Sequence, residues 1–305
     1  MTEPNGRTLF TGAGVALVTP FGADGGVDDE ALRELVRFHL REGTDALIVN
    51  GSTGEAVTMS PDEQRHVVEV AAAEVRAGDR RIPVIAGCGG GDTAVVSRLA
   101  SQAREAGADA LLVAQPPYNK PPQRGLLAHF RAVMDAGDLP TVIYNVPGRA
   151  AVNILPETME QLAEDERVAG IKEASGDISQ VAEIARRVGD RVALYSGNDD
   201  QVVALMALGG KGVISVLANV APRDTSRMAR AFLEGNTREA CALQLRYLPL
   251  IAALFRESNP IPVKAAVAML GFRVGEPRLP LVPVSDAVKE ELEREMRALG
   301  LLGGS

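Results

Sequence analysis

Lysine is scarce in this chain: five of the 32 basic residues are lysine, at positions 120, 172, 211, 264 and 289. Where a surface positive charge is all that is needed, the sequence uses arginine. A lysine inside an apolar run, as Lys172 is in Val-Ala-Gly-Ile-Lys-Glu, is then a candidate for chemistry that arginine cannot do. A neutral amine adds to a ketone or aldehyde to give an imine, whereas a guanidinium stays charged. Burial disfavours the ammonium and so frees the amine. The plainer alternative is a strand-end lysine paired with its neighbour Glu173.

Three further segments carry groups that could serve such an amine. Tyr144, in Tyr-Asn-Val-Pro-Gly-Arg (144–149), offers a phenol that can pass a proton, or simply packs as an aromatic. Arg149, past a Pro-Gly turn, has the planar fork that suits a carboxylate, or makes a surface ion pair. Gly51-Ser52-Thr53-Gly54-Glu55 offers backbone N–H groups and two hydroxyls to an anion, or is an ordinary turn. Tyr118 lies in a fourth segment, Gln-Pro-Pro-Tyr-Asn-Lys-Pro (115–121). It and Tyr144 are two of only four tyrosines. The Gly-rich stretch around Cys88 is expected to be a structural turn, with Cys88 packed rather than reactive.

The elements that would position these groups recur along the chain. Helical patterns end in Gly-x-Asp turns and lead into short apolar runs, as in REGTDALIVN (41–50) and EAGADALLVAQ (105–115), with ALGGKGVISV (207–216) a looser copy. Glycine ends a helix because it accepts the left-handed conformation, and runs without polar alternation suit parallel strands covered on both faces. Eight strands are expected, at 15–19, 46–50, 83–86, 110–113, 141–144, 168–171, 192–195 and 212–215, with helices at 29–42, 62–75 and 94–106 among those between them. Ser60-Pro61-Asp62-Glu63 has the makings of a capping box. Eightfold strand–helix alternation reads as a (β/α)8 TIM barrel. An open doubly wound sheet is the alternative, weakened because no Gly-x-Gly-x-x-Gly follows the first strand. Residues 1–222 are expected to form the barrel and 223–305 a helical segment packed on it, its last helix presenting Val288, Leu292, Met296 and Leu299 on one face. Barrel enzymes work at the C-terminal ends of the strands, and the four segments above all follow strands.

Bulk properties narrow the function. A net charge of −8 and a pI near 5.1 argue against a nucleic-acid partner held on a basic surface. The two cysteines and three histidines are scattered, with no metal-ligand spacing and no disulfide framework. Neither a signal-peptide pattern nor a bilayer-length apolar run is evident, so a cytoplasmic protein with no membrane association is expected.

GSTGE (51–55), YNVPGR (144–149) and GIKEASGD (170–177), in this order and with ESNPIPVKAA (257–266), resemble the dihydrodipicolinate synthase family, part of a wider group that includes N-acetylneuraminate lyase. The resemblance runs from Gly12 to about Leu270, and the arginine of YNVPGR is similar to that of the synthase branch. It implies that Lys172 forms an imine with pyruvate, with no other cofactor. The derived enamine then attacks L-aspartate 4-semialdehyde, and ring closure gives 4-hydroxy-tetrahydrodipicolinate for lysine and diaminopimelate biosynthesis. It further implies a proton relay of Ser52, Tyr118 and Tyr144, with Tyr118 supplied across a subunit interface. Thr53 and the backbone of Ile214 would hold pyruvate, and Arg149 the carboxylate of the semialdehyde. The family is usually a tetramer made of two dimers.

This sequence departs from the family at two of these places. Ser52 stands where the synthases usually have threonine, and Pro117 where many have a second aromatic. The positions matching the lysine-inhibition site of regulated relatives are Pro61, Gln64, Gly91, Val95 and Pro117, which cannot supply the same hydrogen bonds; insensitivity to L-lysine is therefore expected. Two alternatives stand beside the synthase: an aldolase of the same group acting on a 2-keto-3-deoxy sugar acid, and a non-catalytic barrel with a binding or regulatory role.

Overall fold

A computed structural model describes residues 7–303. Eight parallel strands close into one barrel in sequential order: β1 (Gly12–Ala16), β2 (Ala46–Val49), β3 (Val84–Cys88), β4 (Ala110–Ala114), β5 (Thr141–Asn145), β6 (Val168–Glu173), β7 (Ala193–Ser196) and β8 (Gly212–Ser215). The helices are α1 (Asp29–Glu42), α2 (Pro61–Ala77), α3 (Thr93–Glu105), α4 (Gln123–Gly137), α5 (Pro147–Ala150), α6 (Pro156–Leu162), α7 (Ile178–Val188), α8 (Val202–Ala207), α9 (Pro222–Leu233), α10 (Thr237–Leu254), α11 (Ile261–Met269) and α12 (Asp286–Ala298). The TIM barrel expected from the strand–helix alternation is thus the fold, with α10–α12 beyond it, and α9 packs on β1. Leu292 and Met296 of α12 are buried, and Val288 and Leu299 pack against the core beside them.

Local rules account for the element ends. The capping box before α2 is formed: Glu63 N donates to Ser60 Oγ and Ser60 N to Glu63 Oε2. Helix α1 starts on Asp28, whose side chain accepts from Ala31 N, and stops at Gly43 with φ 86°. Three strands differ from expectation by more than one residue, β3 running two residues past 86 to Cys88. β1 lies earlier than 15–19, because Gly12 pairs with Gly212 and a Cβ on Gly212 would meet Gly12 O at 1.8 Å; close backbone approach, which apolar patterning does not encode, sets its start. β6 runs two residues past 171, because Lys172 and Glu173 are paired with β5 on one side and β7 on the other.

The strands separate two apolar layers. Outside the barrel, Leu47, Val49, Val113, Ile143, Ile171 and Leu194 pack against the helices. Inside, Ala46, Ile48, Ile85, Leu112, Val142, Tyr144, Tyr195 and Ile214 fill the lumen, with Phe10 stacked on Tyr195 at 4.4 Å. Tyr195 Oη donates to Phe10 O at 2.7 Å, satisfying the one polar atom of that ring.

A buried ion pair ties the C-terminal helices to the loop after β2. Glu55, held at φ 55°, accepts from Lys264 Nζ of α11 at 2.6 Å and from Arg278 N at 2.8 Å, and both charged side chains are almost fully buried. Lys264 Nζ also donates to Glu276 O and sits 4.1 Å over the Phe21 ring. Removing one partner leaves a buried uncompensated charge. Glu55→Ala is therefore expected to destabilise the protein by about 3–5 kcal/mol, read as a lowered denaturation midpoint in urea; a loss below about 1 kcal/mol, typical of an exposed pair, would contradict this.

Candidate active site

β-strand alternation sends Lys172 into the lumen and Glu173 outward. Glu173 accepts from Asn145 Nδ2 at 3.0 Å and Ser175 N at 2.7 Å on the helix side of the sheet, so the pairing of Lys172 with Glu173 does not occur. Lys172 is instead 5% exposed. Parallel register sets Tyr144 beside it on β5 and Tyr195 on β7, and Nζ lies 4.3 Å from the centroid of the Tyr144 ring. Gly197 completes the wall: a Cβ there would lie 3.1 Å from Lys172 Cε and 2.6 Å from Ala174 Cβ, so any side chain would press on the lysine.

Burial brings the Lys172 ammonium down to about 8; the Asp199 carboxylate opposes this and Arg149 adds to it. About a tenth of the amine is then neutral at pH 7, far more than for an ordinary lysine, as nucleophilic addition needs. Burial pushes the Tyr144 phenol up to about 12, with Arg149 pulling the other way. Tyr144 is therefore a neutral hydroxyl, able to give a proton and take one back.

Ser52, Thr53, Tyr144, Arg149 and Lys172 all line one cavity of about 100 Å³ at the C-terminal ends of the strands. A wider cavity of about 360 Å³ opens outside it, sharing Ser52, Tyr144 and Arg149 but not Lys172. The amine thus sits in the inner lobe, and the arginine stands where the lobes meet. Arg149 is carried on α5, a single turn begun by Pro147, and its Nη2 donates to Asn259 O at 2.8 Å. Thr53 is buried, and its Oγ1 accepts from Asn259 Nδ2 at 3.0 Å. At the other end of the barrel, a groove lined by Arg76, Arg81 and Asp109 contains no lysine, serine, cysteine or tyrosine.

Two of the expected site residues lie apart. Tyr118 is 91% exposed, at φ 70°, and lines neither lobe. Ile214 lies within the lumen on β8, and Val216 after it reaches the cavity wall. Cys88 is buried, and burial raises its thiol to about 12, so it is the packed residue expected. Among the described residues, no group of three or more His, Cys, Asp or Glu side chains is placed to hold a metal ion, and no helix is long and apolar enough to cross a membrane.

Sequence reasoning missed two residues. Asp199, after β7, is buried; its Oδ2 accepts from Val216 N and Leu217 N, both at 2.9 Å, which fixes the chain leaving β8. Burial holds its carboxyl above the usual carboxylate range, against hydrogen bonds from Ser215, Leu217 and Val216 and the charge of Lys172. The available signal was an Asn-Asp-Asp run directly after an apolar strand. Asn259 stood within ESNPIPVKAA, with nothing to mark it as a wall of the cavity.

A closed barrel with a buried amine and a guanidinium at the C-terminal mouth has the architecture of a barrel enzyme. A family model for the dihydrodipicolinate synthetase family matches residues 9–299, and the chain belongs to that family. It is 51% identical over 295 residues to the 4-hydroxy-tetrahydrodipicolinate synthase of Thermoanaerobacter sp. (strain X514), covering 96% of this chain and 98% of the relative. Among solved structures it is similar to the dihydrodipicolinate synthase of Thermotoga maritima, with 42% identity, a TM-score of 0.93 and coverage of 96% and 100% of the two chains. It is also similar to the lysine-bound enzyme of Cyanidioschyzon merolae, with 39% identity, a TM-score of 0.93 and coverage of 97% and 100%.

The environment of Lys172 has a measurable consequence. Its reaction with a small amine-directed reagent, followed by peptide mass spectrometry, is expected to accelerate about tenfold per pH unit below about pH 7 and to level off above about pH 8–9. A rate still rising tenfold per unit at about pH 9.5, as for an ordinary lysine, would contradict the burial effect.

Proposed function

We propose that Lys172 is the imine-forming residue of a 4-hydroxy-tetrahydrodipicolinate synthase, which condenses pyruvate with L-aspartate 4-semialdehyde in lysine and diaminopimelate biosynthesis. The observation that carries this is a buried amine of lowered basicity, packed against a neutral tyrosine in a cavity that widens past an arginine. The Lys172 amine adds to the ketone carbon of pyruvate, and loss of water leaves the imine. Removal of a methyl proton gives the enamine, whose carbon bonds to the aldehyde carbon of the semialdehyde while the aldehyde oxygen takes up a proton. The substrate's own amine then attacks the imine carbon, and Lys172 leaves as the free amine. The imine nitrogen holds the electron pair, so this sequence needs no other cofactor.

The remaining roles are those that the family resemblance implies. Tyr144 passes protons at the amine, and Ser52 in the shared wall, with Tyr118 from a neighbouring subunit, extends the relay. Thr53 and the backbone at Ile214 hold pyruvate, and Arg149 takes the carboxylate of the semialdehyde at the junction of the lobes. Supply of Tyr118 by a neighbour fits its exposure on the single chain, within a cytoplasmic tetramer of two dimers. The arginine favours a carboxylate-bearing acceptor over the hydroxyaldehyde from which a 2-keto-3-deoxy sugar acid would be built, whose hydroxyls call for neutral hydrogen-bonding partners. The intact amine, phenol and guanidinium speak against a non-catalytic barrel.

Losing a charge-assisted contact to one substrate acts on that substrate alone. Arg149→Ala is expected to raise the KM for the semialdehyde roughly 10–100-fold, the worth of a hydrogen bond to a charged group, while the KM for pyruvate stays within about threefold. An equal rise in both would remove Arg149 from this role.

The positions matching the surface that regulated relatives use for lysine offer few side-chain donors and acceptors here. Among Pro61, Gln64, Gly91, Val95 and Pro117, only Gln64 has a polar side chain, and its Nε2 is spent on Ala56 O at 2.9 Å and Met59 O at 3.3 Å. Condensation is accordingly expected to proceed unchanged in millimolar L-lysine; half-inhibition at about 1 mM or below, the affinity of even a weak site, would overturn this.

A further inference from the structure

Asn259 makes two contacts with the mouth of the barrel, and they run in opposite senses. Its backbone oxygen accepts from Arg149 Nη2 at 2.8 Å, while its side-chain Nδ2 donates to Thr53 Oγ1 at 3.0 Å. The residue is 7% exposed and forms part of the wall of both lobes. Its own Oδ1 is buried and, among the described residues, has no hydrogen-bond partner. A buried amide oxygen left unpaired works against stability and calls for an explanation. Leucine would fill a similar volume without that cost, so the amide is there for its N–H.

What that N–H does follows from the valence of a hydroxyl. Thr53 Oγ1 has one proton to give and lone pairs with which to accept. With Asn259 Nδ2 donating to it, the hydroxyl proton is left for a partner on the cavity side. A threonine fixed in this sense is a donor, and a carboxylate is acceptor-only. Thr53 without Asn259 could turn its proton toward any nearby oxygen.

We propose that Asn259 is a positioning residue that sets Thr53 as a hydrogen-bond donor to the carboxylate of pyruvate, acting through its side chain on the first substrate and through its backbone on Arg149. This rests on the assignment of Thr53 to pyruvate made above. The two halves separate under mutation, because a side-chain substitution deletes the amide and leaves the carbonyl that holds Arg149.

The test is a double-mutant cycle in the full-length enzyme, with kcat and both KM values measured for Asn259→Ala, Thr53→Val and the pair. Asn259→Ala is expected to lower kcat/KM for pyruvate about tenfold, the effect of one well-placed hydrogen bond, with the KM for the semialdehyde within about threefold of the parent. Adding it to Thr53→Val is expected to change nothing further, since the amide then has no hydroxyl to orient. Asn259→Ser, whose hydroxyl is too short to reach Thr53, is expected to match Asn259→Ala and serves if the alanine variant does not fold. Effects of Asn259 and Thr53 that multiply, or an equal rise in both KM values, would overturn the inference. If Thr53→Val alone leaves pyruvate kinetics unchanged, the assignment of Thr53 fails, and the inference with it.

Discussion

Closure of the sheet is the constraint on which the chemistry depends. A lysine on an open strand would turn its amine to water and keep its ordinary basicity. Here β6 is paired on both sides, so period-two alternation leaves Lys172 no direction but inward, between Tyr144 and Tyr195. A one-residue slip of β6 would send Lys172 to the helices and put Glu173 into the lumen. The lowered basicity of the amine is thus a property of the register rather than of any single contact. Asp199 and Arg149 adjust it in opposite directions.

The mouth is assembled from segments far apart in sequence, held by a few buried polar contacts. The loop after β2 is anchored from α11 by Glu55 and Lys264 and from the connection between α10 and α11 by Thr53 and Asn259. Asn259 also reaches Arg149, and Asp199 fixes the chain leaving β8. All but the Arg149 contact, which is only partly buried, are made where water is excluded, so they have geometric authority that a surface pair lacks. The helices after the barrel are in this sense part of the site. They supply few groups to the substrate, yet they determine where the loop and the arginine stand.

Much of this was legible in the sequence, for identifiable reasons. Strands buried on both faces leave apolar runs, helices announce their caps, and eight alternations leave few folds to choose from. Lys172 was visible because its side-chain type is rare in this chain and its surroundings are apolar. Its place inside β6 was not, because a charged pair at the end of an apolar run reads as a strand end until the pairing on both sides is known. The start of β1 depended on Gly12 meeting Gly212, an approach between residues 200 positions apart in sequence. Asn259 and Asp199 were hidden for a related reason. Their significance lies in what they touch across the barrel, and asparagine and aspartate are common enough in loops to draw no notice. Tyr118 was prominent in sequence, yet on the single chain it stands in solvent, away from the amine.

The central claim is that the amine of Lys172 becomes covalently bonded to pyruvate. The most direct measurement is reduction of the enzyme with borohydride in the presence of pyruvate alone, followed by proteolysis and mass spectrometry of the peptides. The expected result is a single adduct, with the mass of pyruvic acid less one water and plus the two hydrogens of reduction, on the peptide containing Lys172. No adduct, or one confined to Lys120, Lys211, Lys264 or Lys289, would contradict it.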